Sequence, residues 1–99
     1  MIDYRVEIAP EAAEIIRHLP PDLKRSVREA LRALSRDPCS GDPLRRELEG
    51  LWKYRVRRYR VIYALDRRRR LIRVLAVGSR AGIYELAAAR LDRAPKRKR

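Results

Sequence analysis

One cysteine and one histidine stand in a chain of 99 residues. Cys39 by itself can close no intramolecular disulfide, so the reducing cytosol is the expected compartment. His18 sits beside Leu19 at the end of a helical stretch, where partial positive charge is tolerated. It is far in sequence from the main group of cations, and chemistry built on histidine is not expected. No His, Cys, Asp or Glu group has metal-ligand spacing, so neither a metal nor another cofactor is expected. No apolar run is long enough to span a bilayer. The opening MIDYRVEIAPEAAEII lacks a basic region followed by an apolar core, so no signal peptide is expected. There is no internal repeat.

Positive charge is abundant and unevenly placed. The formal net charge is +13. Residues 1–50 hold nine Lys/Arg and ten Asp/Glu, a net of −1, whereas residues 51–99 hold seventeen against three, a net of +14. Such asymmetry points to an anionic partner for the second half: nucleic acid, an acidic protein segment or an anionic membrane surface. The 45% hydrophobic fraction argues for a folded chain despite that charge. The length suits one domain with a single modest core. Residues 1–91 are expected to form it, and residues 92–99 to be a basic tail with no core to join.

Periodicity gives the elements. From Ile2 to Ile8 the chain alternates, with Ile2, Tyr4, Val6 and Ile8 on one face and Asp3, Arg5 and Glu7 on the other, a half-buried strand. Pro10 suits the first turn of a helix. Ala12, Ile15, Ile16 and Leu19 follow at helical spacing until Pro20-Pro21 stops it. A second helix is predicted from about Asp22 to Ser35, with Leu23, Val27, Ala30, Leu31 and Leu34 on one stripe. Asp37-Pro38, Gly41-Asp42-Pro43 and Gly50 mark a loop. Three strands are then predicted, at about Leu51–Val56, Tyr59–Leu65 and Leu71–Val77. The last is almost continuously apolar, like a central strand buried on both faces. Ile83–Leu91 suits a short helix. The order β-α-α-β-β-β predicts an α+β fold: a helical hairpin packed on one face of a small, mainly antiparallel four-stranded sheet.

The stretch LWKYRVRRYRVIYAL, residues 51–65, spreads cations along the middle of that sheet. Like charges side by side on a strand pair repel, so the pattern needs a solvated face or a polyanion. Side chains alternate along a strand. Lys53 and Arg55 therefore share one face, and Trp52, Tyr54 and Val56 the other, toward the helices. If Arg57-Arg58 makes the turn, Arg60 returns beside Lys53 and Arg55. Arg80 follows the third strand toward the same surface, and Tyr84 lies four residues further on. Interleaved aromatics and cations recurring on adjacent strands put a nucleic-acid surface level with a bare solvated face as readings of the chemistry.

The segments LWKYRV, YRVIY and VGSR with the following Tyr84 resemble the C-terminal half of the RelE/ParE toxin superfamily of type II toxin–antitoxin systems. YRVEIAPEAAEIIRHLP, LKRSVREALRAL and the DP…L…G linker are similar to the rest, so the likeness covers about residues 3 to 86. The resemblance implies a helical hairpin on a small antiparallel sheet. It also implies a cytoplasmic toxin held inactive by a cognate antitoxin, often through an acidic or amphipathic segment that orders on binding. RelE-like members are ribosome-dependent ribonucleases that cut mRNA; ParE-like members share the fold but act on DNA gyrase. The RelE-like branch is favoured, because its basic and tyrosine positions match Lys53, Arg55, Arg60, Arg80 and Tyr84. Arg57-Arg58 departs from the Gly-Asp type of turn in many relatives. Neither residue favours φ > 0, which predicts a longer or shifted turn. The step from Arg80 to Tyr84 is also shorter than in some members.

The implied chemistry needs no metal. The RNA 2′-hydroxyl attacks the adjacent phosphate, and the enzyme must accept a proton, stabilise the phosphorane and protonate the 5′-oxygen. Arg55 and Arg60 suit phosphate clamping, since a guanidinium offers two parallel hydrogen bonds. Arg80 suits the same task or the leaving oxygen, and Tyr84 and Lys53 are the alternatives for the base. The predicted catalytic set is thus Lys53, Arg60, Arg80 and Tyr84. The predicted RNA-binding set is Arg55, Arg57, Arg58, Arg68 and Arg69, the last two on a solvated turn that assists non-specifically.

Overall fold

The computed structural model describes residues 3–93, with side chains through Leu91. Ile2 and residues 94–99 lie outside the described residues, while Asp92 and Arg93, expected to begin the tail, continue the last helix. Before the basic hairpin come β1 (Arg5–Ile8), α1 (Pro10–Arg17), α2 (Pro21–Arg36) and a two-residue strand, β2 (Asp42–Pro43), with short 3-10 turns at Pro38–Ser40 and Arg46–Leu48. Then come β3 (Leu51–Val56), β4 (Tyr59–Asp66), β5 (Leu71–Gly78) and α3 (Ile83–Arg93). Proline starts both hairpin helices, at a position whose missing N–H costs the helix nothing. His18 is the C-cap of α1, as expected, and its Nδ1 is 3.0 Å from the carbonyl oxygen of Glu14.

The sheet has five strands in the order β1-β5-β4-β3-β2, one more than expected. The extra strand is β2, antiparallel to β3 through Asp42–Lys53 and Pro43–Trp52. Two residues carry no period-two signal, and a proline within a strand fits only an edge. β1 runs parallel to β5, while the other pairs are antiparallel. β5 is thus central over its first half, in keeping with its apolar run.

Two cores flank the sheet. On one face Ala12, Ile16, Leu19, Val27, Ala30 and Leu34 of the helical hairpin pack on Val56, Val61, Tyr63, Ile72, Val74 and Val77. Trp52 and Tyr54 join this side, as the alternation predicted. On the opposite face Ile83 and Ala87 of α3 pack on Leu51, Ile62, Ala64, Leu75 and Ala76. A helical layer on this second face was not expected.

Hydrogen bonds fasten the loops to these layers. Ser35 Oγ donates to the Tyr4 carbonyl at 2.6 Å, and the Tyr4 N–H donates to the Ser35 carbonyl at 2.9 Å. Tyr63 stacks on Trp52 with ring centroids 6.1 Å apart, and its hydroxyl donates to the Pro38 carbonyl at 2.8 Å. Burial pushes that hydroxyl from 10.0 up to about 12, partly opposed by a backbone hydrogen bond from Gly41. Tyr63 therefore pins the loop between α2 and β3.

Candidate nucleic-acid interface

The cations gather where β3 and β4 turn. Val56 pairs with Tyr59 and Arg55 with Arg60, so the connection is a two-residue hairpin with Arg57 and Arg58 at its tip. The longer or shifted turn predicted from sequence does not occur. Arg57 instead takes the left-handed conformation, at φ 58°, which costs a non-glycine residue roughly 1–2 kcal/mol.

The tight turn sets the register. Arg55 and Arg60 stand directly opposite each other, so their Cβ atoms are about 5 Å apart. Lys53 lies two residues along β3 on the same face, opposite Ile62. The chain thus holds three cations side by side on a surface away from the helical hairpin. Asp42 stands across from Lys53 on β2. Among the described residues, no carboxylate comes within ion-pairing distance of Lys53, Arg55, Arg57, Arg58, Arg60 or Arg80. Other cations do have such partners, among them Arg17 with Glu14 and Arg69 with Asp66.

Glycine lets α3 approach this cluster. Gly78 pairs with Arg60 across β4–β5. A Cβ at Gly78 would fall 2.5 Å from Cγ2 of Ile83, so its bare backbone is what allows Ile83 to seat on the strand. Seating Ile83 brings Tyr84 to the cations: the Arg60 guanidinium lies 5.8 Å from the centroid of the Tyr84 ring, a cation–π distance. Arg60 also donates from Nη1 to the Ser79 carbonyl at 3.3 Å. Two contacts therefore orient this half-buried arginine. The sequence singled out Arg60 and Tyr84 but not Ser79 or Gly78. The sole hint was a glycine at the end of an apolar strand.

The remaining predicted residues divide. Arg80 is exposed, one residue after the carbonyl that Arg60 holds. It lines an open apolar groove between α1 and α3 with Ile15, Tyr59 and Leu86. Arg68 and Arg69 are not brought to the cluster. They follow the far end of β4, about 23 Å from Tyr59 at the strand's rise per residue. Arg69 is occupied there with Asp66: its N–H donates to Oδ1 at 3.1 Å, and its Nε lies 3.8 Å from Oδ2. Cys39 is exposed on its loop, 3.8 Å from an Arg67 nitrogen.

A family model described as the ParE toxin of the type II toxin–antitoxin system parDE matches residues 4–84. The chain belongs to this toxin family, within the RelE/ParE superfamily. Two toxin relatives place it on the RelE-like side. It is 39% identical over 83 residues to Toxin RelG of Mycobacterium tuberculosis, covering 82% of this chain and 95% of that protein. It is 30% identical over 89 residues to Toxin RelE of the same organism, covering 88% and 92%. The crystal structure of the M. tuberculosis toxin–antitoxin complex RelBE2 contains a chain superposing with a TM-score of 0.73 at 37% identity, covering 82% of this toxin and 95% of that chain. The family model and the relatives carry different branch names; identity over nearly the whole length favours the RelE-like side.

Proposed function

We propose that this toxin is a ribosome-dependent mRNA endonuclease that acts in the cytoplasm and is held inactive by a cognate antitoxin. The observation carrying the reading is the Arg55–Arg60 cross-strand pair, beside Lys53, with Arg60 aimed by Ser79 and Tyr84. Two guanidiniums side by side suit one phosphodiester, each offering paired N–H donors to the non-bridging oxygens.

In the proposed reaction the RNA 2′-oxygen bonds to the adjacent phosphorus as its proton passes to the deprotonated form of Tyr84 or Lys53, a phenolate or a neutral amine. Negative charge grows on the equatorial oxygens, where Arg55 and Arg60 bind it more strongly than in the ground state. The bond from phosphorus to the 5′-oxygen then breaks and that oxygen takes up a proton, leaving a 2′,3′-cyclic phosphate and a 5′-hydroxyl. Arg80 stabilises the leaving oxygen. Arg57 and Arg58, exposed at the hairpin tip, attract the RNA backbone.

The solved RelBE2 relative is a toxin–antitoxin complex. A net charge of +14 over residues 51–99 suits an acidic antitoxin segment that orders on the toxin. Purified toxin should cut mRNA on programmed ribosomes and leave the same mRNA intact without them. The ParE name of the matching family model favours a second reading, inhibition of DNA gyrase through protein contact. Expression in cells separates the two. Translation should stop before DNA supercoiling changes; early DNA-damage signalling with intact mRNA would replace the first reading by the second.

A further inference from the structure

One cation of α3 is turned inward. The Arg90 side chain is only 15% exposed, and its Nε lies 3.9 Å from Oε1 of Glu11 on α1. Its Nη1 donates to the carbonyl of Leu75 at 2.7 Å. Leu75 is where the sheet loses register: Ile62 pairs with Ala76 and Tyr63 with Val74, so Leu75 has no counterpart on β4. The β1–β5 register also stops short of it, ending at Ile8–Val74. A bulge takes backbone groups out of the ladder, and a carbonyl left buried without a donor is costly. Arg90 supplies the donor, and the same guanidinium reaches toward the hairpin helices.

This contact bears on Tyr84. An isolated helix as short as the eleven residues of α3 is marginal, so docking decides where it lies. Ile83, Ala87 and Arg90 follow one another at four and three residues, a single stripe facing the sheet. The first two are buried, and the third is bonded to the bulge. Tyr84 sits in the first turn of that helix, beside the Arg60 guanidinium. We infer that Arg90 is a positioning residue: by capping the Leu75 carbonyl and approaching Glu11, it fixes how α3 docks and so holds Tyr84 at Arg60. Its effect on cleavage rests on the proposed function; its effect on α3 does not.

The test compares the parent with Arg90→Ala and Arg90→Lys, using hydrogen exchange of the α3 amides and the ¹⁹F resonance of fluorotyrosine at Tyr84, assigned with Tyr84→Phe. In Arg90→Ala, exchange in α3 should rise about tenfold while α2 is unchanged, and the Tyr84 resonance should move. Lysine, which can still donate to the carbonyl, should restore most of both. Single-turnover cleavage should fall about tenfold or more, because a small misplacement of a reacting group is costly. Ribosome binding should hold, and Arg90→Ala should add little to Tyr84→Phe. Unchanged α3 exchange with an unmoved Tyr84 signal would overturn the inference. So would equal acceleration in α2 and α3, which marks general destabilisation. If Tyr84 moves but the parent cuts no mRNA on ribosomes, the positioning stands and the endonuclease reading falls.

Discussion

The two faces of the sheet are built from the same strands and differ in what covers them. Under the helical hairpin, Trp52, Tyr54, Val56, Val61 and Tyr63 meet α1 and α2 along the whole breadth of the strands. On the other face α3 covers one half, over Leu51, Ile62 and Ala64, while Lys53, Arg55 and Arg60 occupy the rest. The hairpin face is a core in the ordinary sense. The α3 face is half core and half cationic surface, with Tyr84 at the seam. On the proposed reading, stability and reactivity fall on different sides of one strand, and substitutions should separate them.

The sharpest separation is expected at Arg60. Arg60→Ala should lower single-turnover cleavage by about 10²–10³, the usual cost of one lost transition-state contact. Ribosome affinity and thermal stability should change little, and Arg80→Ala should behave similarly. A variant that binds and cuts like the parent would reduce the cationic half of the face to a solvated surface. On the opposite face Leu34, fully buried in the hairpin core, should show the reverse. Leu34→Ala should cost roughly 3 kcal/mol in urea unfolding through lost transfer energy and a cavity, with cleavage intact where the protein remains folded. Loss of cleavage in a folded Leu34→Ala protein would mean that the faces are coupled.

The alternation of LWKYRV was sufficient to assign its residues to faces, because a one-residue slip would exchange Trp52 with Lys53. The place of Arg60 beside Arg55 was conditional on Arg57-Arg58 making the turn, which they do. Other features had no local signature. The parallel pairing of β1 with β5 joins distant segments, and periodicity says nothing about partners. β2 is too short to have a period. Arg57 was read from its intrinsic preference, which the register on either side overrides. Arg90 was one cation among many, and only the bulge at Leu75 distinguishes it.

Tyr63 supplies a gentler probe of the hairpin face. Its hydroxyl value in the folded chain, about 12, lies above the ordinary 10.0. The stability it contributes is therefore complete below pH 10 and lost as the pH rises through about 12. Between those values the parent should lose up to roughly 2–3 kcal/mol relative to Tyr63→Phe. The variant starts about 1 kcal/mol lower at neutral pH, because the Pro38 carbonyl loses its donor. Parallel unfolding curves across that range would show that the hydroxyl is not buried as described. The smallest effect is expected at the hairpin tip. Arg57→Gly removes the left-handed penalty but adds freedom to the unfolded chain, so a gain below about 1 kcal/mol is expected. If Arg57 contacts a phosphate, the salt slope of ribosome binding should also fall by about one. A destabilised Arg57→Gly variant would mean that the arginine side chain holds the turn in some other way.

The parallel pairing of Arg5–Ile8 with Leu71–Val74 has a consequence for the order of synthesis. β1 leaves the ribosome well before β5 and must wait for it before it has a strand neighbour, and until then the helices beside it lack the sheet on which they pack. Closing contacts so distant along the chain slows folding. Fragments released early have no partner for their opening strand and lack both Arg80 and Tyr84. On the proposed reading, a cell translating this message meets an active molecule only once synthesis has passed Tyr84, and products terminated before β5 are harmless to it.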